Sequence, residues 1–238
     1  MQITIVLVLM IATAVVLKLL TEGPSRPKRK SGKKRGKRRD GVNDKLAEAR
    51  GNRGEALVVR ELERVCASGR HGLTLRNLYV PHKDGSTAEI DVLFITRQGL
   101  FVFESKNYSG WIFGNEKDQY WTQTLPGGKN KNTFYNPLKQ NQTHAASLRE
   151  YIGADVPIVP IVVFSGECSI KKLTLTNFDS VVVMISDLAG TVARRIDASA
   201  PKLDNGRVQE LYLALEPLTR VDESVKNAHV ERIRRKYS

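Results

Sequence analysis

The chain has 238 residues, 41% of them hydrophobic, with a formal charge of +13, which suits one globular domain of ordinary size plus appendages. The charge is local: residues 26–39 hold ten Lys or Arg and no acid, leaving 28 basic residues against 25 acidic ones elsewhere, so total charge alone does not argue for nucleic-acid binding. Cys66 and Cys168 stand alone, outside any CxxC or Cys/His cluster, which excludes a zinc finger or a disulfide scaffold and fits a reducing compartment.

Residues 3–20 are apolar apart from two threonines and Lys18. As a helix they would extend about 27 Å, close to the thickness of a bilayer core, with Lys18 near enough to the end to snorkel. A membrane anchor is expected rather than a cleaved signal peptide, because no basic residue precedes the apolar run and no small-x-small site follows it. The ten basic residues after the run place the remainder on the cytoplasmic side, in contact with anionic lipid. The segment 24–39, with Gly, Ser and Pro among its charges, reads as an unfolded tether. Its other reading is nucleic-acid binding by counterion release.

Residues 44–67 have a helical apolar pattern through Leu46, Leu57, Val58, Leu62 and Val65, with Gly51 and Gly54 marking a break and restart. Residues 72–80 read as a strand ending at Pro81. Residues 88–96 and 100–106 form two apolar runs around Arg97-Gln98-Gly99, a β-hairpin pattern. Short aromatic strands follow at 110–113 and 120–124, then a loop at 125–135. Asn136-Pro137 starts a helix that runs to about residue 152. Residues 157–164 and 179–185 look like central strands, Ser186-Asp187 caps a helix to residue 195, and 205–218 is the last helix. The pattern is an α/β domain with a mixed sheet, without internal repeats.

The hairpin ends carry the chemistry. Asp91 stands at the polar end of one strand, Glu104-Ser105-Lys106 at the end of the next. Two acids and a lysine suit a hard divalent cation and a water activated beside it, the requirements of phosphodiester hydrolysis. Asp91 and Glu104 would be the ligands, with the Ser105 backbone carbonyl as a third. Glu104 and Lys106, two apart on a strand, share a face. Lys106 would orient or deprotonate water, or offset charge on the phosphate. A turn at Arg97-Gln98 sets Asp91 across from Glu104, and one at Gln98-Gly99 sets it across from Lys106. Either keeps all three on one face, whereas an odd-length loop does not.

Gly54-Glu55, Glu89-Ile90-Asp91, the run from Gly99 to Lys106, Gly110, Trp121 and Asn136-Pro137-x-x-Gln140 occur in the order of the NERD (nuclease-related) domain, and residues 51–164 resemble that family. The resemblance implies a restriction-endonuclease-like fold of the PD-(D/E)xK superfamily, a mixed sheet flanked by helices, here preceded by one transmembrane helix. It implies that Glu55 is a helix acid facing the metal site, directly or through water. Asp91 and Glu104 would hold Mg²⁺ or Mn²⁺, with Lys106 as the catalytic lysine and Gln140 beside the site. The organisation expected is an anchor at 1–21, a basic tether at 22–43, a nuclease-like core at 44–165 and a C-terminal α/β extension at 166–238. The expected partners are nucleic acid, DNA first, and the membrane. The alternative is a non-catalytic nucleic-acid- or protein-binding module at the cytoplasmic membrane face.

Each feature also has a plainer reading. A cross-strand salt bridge explains the hairpin charges, a solvated acid paired with Arg60 explains Glu55, and an exposed polar stripe explains His144, four residues after Gln140. Trp111 and Trp121 read as core or turn packing rather than base stacking. Lys129, Lys131 and Lys139 fit a solvated loop as well as they fit phosphate contacts.

Overall fold

In the computed structural model, which describes residues 33–125, 130–177 and 180–237, one long helix leads into a β-rich domain. The helix, α1 (Lys33–Ala67), is continuous. It takes in part of the segment expected to be an unfolded tether, since Lys and Arg are good helix formers. It also runs through Gly51 and Gly54 without the expected break, because both are buried in packing. Val58, Leu62 and Val65 enter the core, whereas Leu46 is 53% exposed. The expected anchor at residues 3–20 lies outside the described residues. Among the described residues no helix is long and apolar enough to cross a membrane.

After α1 come β1 (Gly72–Pro81), β2 (Thr87–Thr96), β3 (Gly99–Asn107), β4 (Gly110–Asn115), β5 (Tyr120–Thr124), β6 (Lys131–Tyr135), α2 (Pro137–Ile152), β7 (Ile158–Ser165), β8 (Cys168–Thr174), β9 (Val181–Met184), α3 (Ile185–Asp197), α4 (Asn205–Leu215) and α5 (Glu223–Tyr237). The main sheet has the order β1-β2-β3-β7-β9, and a second has the order β6-β5-β4-β8. Both are mixed: β1, β2 and β3 are antiparallel, β3, β7 and β9 parallel, and β8 runs parallel to β4 at the end of an antiparallel set.

Helices cover both faces of the main sheet. On one, Val58 and Leu62 of α1 and Leu188 and Val192 of α3 pack against Phe94, Phe101 and Val163. On the other, Leu148 of α2 and Leu211 and Leu215 of α4 pack against Leu93, Leu100 and Val102. A third core, with Trp121 stacked on Phe164, joins the second sheet to the first.

Several expectations change. β9 is an edge strand rather than a central one, and its residues are mostly half-buried. α3 starts at Ile185 with no side-chain cap at Met184, so Asp187 lies inside its first turn instead of ahead of it. α4 ends at Leu215 and tightens into a 3₁₀ turn, Glu216–Thr219. The loop expected at 125–135 contains β6, and both β8 and α5 come from sequence with no clear period. Trp121 is core, as expected, but Trp111 is half-exposed.

Candidate active site

The hairpin has the first of the two registers considered. Thr96 pairs with Gly99 and Val92 with Phe103 across the two-residue turn Arg97-Gln98. Gly99, at φ 136°, takes a conformation L side chains rarely adopt, and a Cβ there would meet the Pro157 carbonyl at 2.6 Å. This pins β3 against the start of β7. The alternation of β3 then sends Leu100 and Val102 into the core beneath α2, with Glu104 and Lys106 continuing the same row.

Asp91 is placed differently. Arg76 pairs with Val92 and Leu78 with Ile90, but Asn77 and Asp91 between them are not paired, and Asn77 has φ 54°. Leu75 and Leu78 share one core although three residues apart, as do Ile90 and Leu93. Both strands therefore change face at this irregularity, and simple parity does not fix where Asp91 points. Its Oδ2 accepts the Ser105 amide at 2.8 Å, which ties Asp91 to the residue between Glu104 and Lys106.

Glu55 arrives on α1. A Cβ at Gly54 would lie 2.8 Å from Ser105 Oγ and 3.1 Å from Asn107 Cβ, so only glycine lets the helix come this close to the end of β3. Glu55 is fully buried and accepts from Arg76 at 3.2 Å, not from Arg60. From the other side α2, capped by Asn136 and starting with Pro137, supplies Gln140 and, one turn on, His144. Lys106 Nζ donates to Glu104 Oε1 at 2.5 Å and to Gln140 Oε1 at 3.2 Å.

The expected residues Glu55, Asp91, Glu104, Ser105, Lys106 and Gln140 thus meet at one end of the main sheet, and all are buried. Sequence reasoning missed three neighbours. His144 is buried rather than exposed, with Nδ1 3.4 Å from Glu104 Oε2. Its spacing from Gln140 was the available signal. Asn141 donates to the carbonyls of Val102 and Ile161, bridging β3 and β7. Arg76 is Glu55's partner. For these two, nothing local in the sequence points to the role. Lys131 is exposed, Lys139 donates to the Lys117 carbonyl, and Lys129 lies outside the described residues.

The electrostatics follow from burial. Removal from water pushes the Asp91 carboxyl well above its usual range, and the Glu104 and Glu55 charges push the same way. Burial raises Glu104 too, against the pull of Lys106, and raises Glu55 against Arg76. His144 is driven down to about 3, by burial first and then by the Lys106 charge. It is neutral at pH 7, so its contact with Glu104 is dipolar rather than an ion pair.

Among the described residues no three His, Cys, Asp or Glu side chains are drawn together tightly enough to form a ready metal centre. The donor set nevertheless suits a hard cation: Asp91 Oδ1 is a buried oxygen with no hydrogen-bond partner, Glu55 Oε1 is buried beside it, and Glu104 Oε2 meets only the neutral His144 at 3.4 Å.

A model of the nuclease-related domain, NERD, matches residues 50–165, the segment that builds this site. An uncharacterized protein of Bacillus anthracis is 30% identical over 189 residues, which cover 79% of this chain and 86% of that protein. This chain belongs to the NERD family. No solved structure matches it. The NERD segment contributes Glu55, Asp91, Glu104, Lys106 and Gln140, whereas α3, α4 and α5 lie beyond it. One of these later elements still reaches the border of the site. His229 of α5 packs edge-on against Tyr79, whose hydroxyl donates to Glu89 two residues from Asp91.

Proposed function

We propose that this NERD protein is a membrane-tethered nuclease that hydrolyses phosphodiester bonds, DNA first, with Mg²⁺ or Mn²⁺. The observation that carries the reading is the convergence of Glu55, Asp91, Glu104, Lys106 and Gln140 from four separate elements, with three carboxylates buried close enough to raise one another. Burying three acids is costly unless something compensates them, which makes a structural role a poor reason to gather them.

In this reading Asp91, Glu104 and the Ser105 carbonyl would hold the cation, with Glu55 reaching it directly or through water. A bound divalent ion lowers the pKa of its water and offsets charge on the phosphate. Asp91 also fixes the Ser105 amide, and so the backbone between Glu104 and Lys106. Gln140 accepts from Lys106 and holds its ammonium beside the acids, where it orients the attacking water and faces the charge that develops on the phosphate. The apolar run at 3–20 and the basic residues after it support a single-pass anchor, the domain on the cytoplasmic side and the basic segment near anionic lipid.

The test is cleavage of DNA and RNA by the full-length chain with Mg²⁺ or Mn²⁺. Loss of cleavage in Asp91→Asn and in Lys106→Met supports the proposal; no cleavage, or equal cleavage by Asp91→Asn, refutes it. The second reading, a binding module that does not cut, is favoured by one observation: Lys106 and Glu104 are 1% and 0% exposed and already satisfy each other. It expects nucleic-acid or protein binding that survives loss of both side chains.

A further inference from the structure

The second sheet has two unlike faces. Its inner face carries Ile112, Trp121 and Phe134 into the third core. Its outer face has solvent-exposed positions on all four strands, where large aromatic rings are not expected. Yet Trp111 on β4 is 49% exposed and Tyr120 on β5 is 47% exposed. Tyr120 pairs across the ladder with Tyr135, their rings edge to face at 6.1 Å.

Charge has the same bias. The strands β4, β5, β6 and β8 contain no Asp or Glu, but they contain Lys131, Lys171 and Lys172, all exposed. The β4–β8 register shifts between Ile112 and Phe113, and opposite that irregularity two consecutive lysines face solvent. Lys171 Nζ stands 5.4 Å from the centre of the Trp111 ring, a cation over an exposed aromatic face.

Exposed flat rings interleaved with cations, with acids only in the flanking turns at Glu116, Asp118 and Glu167, fit a polyanion that also offers flat rings. Single-stranded nucleic acid is such a ligand: its bases are open to stacking, while those of a duplex are stacked on each other. A twisted sheet face is also too broad to enter a duplex groove as a single ribbon does. The position suits the site proposed above. Trp111 follows Lys106 by five residues, so their Cα atoms are at most about 18 Å apart, a span that a few nucleotides of an extended strand cover.

We propose that the outer face of the β6-β5-β4-β8 sheet binds single-stranded nucleic acid, stacking bases on Trp111 and Tyr120 and neutralising phosphates with Lys131, Lys171 and Lys172. Its use as a substrate platform rests on the nuclease reading; the binding itself does not. The experiment therefore measures binding in EDTA, where no metal-dependent cleavage occurs. Full-length protein is titrated with a dye-labelled oligothymidylate of about 15 nucleotides, within the range of known single-strand sites.

The expected result is binding with quenching of tryptophan fluorescence, which comes only from Trp111 and the buried Trp121. Trp111→Ala and Tyr120→Ala should each weaken binding about fivefold or more. Trp111→Phe should keep most of the affinity and lose most of the quenching. Lys171→Ala with Lys172→Ala should flatten the salt dependence by about 1.4 log units of affinity per log unit of salt. Three outcomes overturn the proposal. One is affinity unchanged in both aromatic variants, and another is a duplex bound as tightly with the same dependence on Trp111. The third is a Trp111→Ala effect on anionic vesicle binding or on self-association, with oligonucleotide binding unaltered. Binding as expected without any cleavage in Mg²⁺ or Mn²⁺ supports the platform and refutes the nuclease reading alone.

Discussion

Replacing Lys106 with Met keeps the length and apolar stem of the side chain but removes the ammonium 2.5 Å from Glu104 and 3.2 Å from Gln140. Met offers Glu104 no donor in exchange, and Glu104 is fully buried. Leaving one member of a buried pair uncompensated costs about 3–5 kcal/mol, a large part of the roughly 5–15 kcal/mol that keeps a domain folded. The stranded carboxylate has one escape, which is to take up a proton. Burial already raises the Glu104 carboxyl, and without Lys106 it rises further. A carboxyl raised on folding contributes most below its unfolded pKa and loses that contribution as pH rises through its folded value. The variant's deficit should therefore be smaller at mildly acidic pH and larger at mildly alkaline pH. The assay is urea unfolding of variant and wild type at both pH values; the Lys106 charge also holds the Asp91 carboxyl down, so its loss moves Asp91 in the same direction as Glu104. Adding Glu104→Gln to Lys106→Met should recover most of the loss, since no charge is then stranded. A deficit below about 1 kcal/mol at the higher pH, or one equal at both, would refute a buried, mutually dependent pair.

Gly54→Ala sets two effects against each other: helix propensity favours Ala by about 1 kcal/mol, while overpacking against Asn107 Cβ and Ser105 Oγ costs about 1–3 kcal/mol. A lowered melting temperature is expected, and a raised one would mean that α1 does not press on β3. Asn141→Ala should cost at least about 1–3 kcal/mol in urea unfolding, because the Val102 and Ile161 carbonyls lose a buried donor; an unchanged midpoint contradicts that bridge. Saturating Mg²⁺ or Mn²⁺, at about a hundred times its Kd, should stabilise the protein by about 2.7 kcal/mol. Protons compete for the raised carboxyls, so the calorimetric shift should shrink as pH falls and vanish in Asp91→Asn. A shift that survives Asp91→Asn places the ion elsewhere.

The hairpin, its register and the start of α2 were legible in sequence because each rests on local chemistry. A two-residue turn fixes the pairing of Thr96 with Gly99, and Asn136-Pro137 can both cap and start a helix. Asn136 shows where that reach ends. Its amide also donates to the carbonyls of Asn115, Glu116 and Asp118, which fastens the β4–β5 turn to the helix. No sequence pattern announces those partners. β6 and β8 were missed for a similar reason: Lys131–Tyr135 and Cys168–Thr174 are polar or lysine-rich on one side, and they become strands only through partners distant in the chain. Gly51 and Gly54 misled in the opposite sense. Low helix propensity predicts a break, but packing against β3 outweighs it at Gly54.

Asp91 marks the sharpest division between what local sequence specifies and what it does not. The register that sets it across from Glu104 is correct, yet parity alone does not say where its side chain points, since β1 and β2 both change face at Asn77 and Asp91. The two acids still come together, through a different contact. The Asp91 carboxylate accepts the Ser105 amide, an in-plane bond that takes over where the regular β2–β3 pairing ends at Val92 and Phe103. Bonded to the backbone of Ser105, Asp91 is tied to the segment that carries Glu104 and Lys106. The irregularity thus couples the two halves of the constellation, and it does so with a positive-φ asparagine on a third strand, a feature no reading of the hairpin alone supplies.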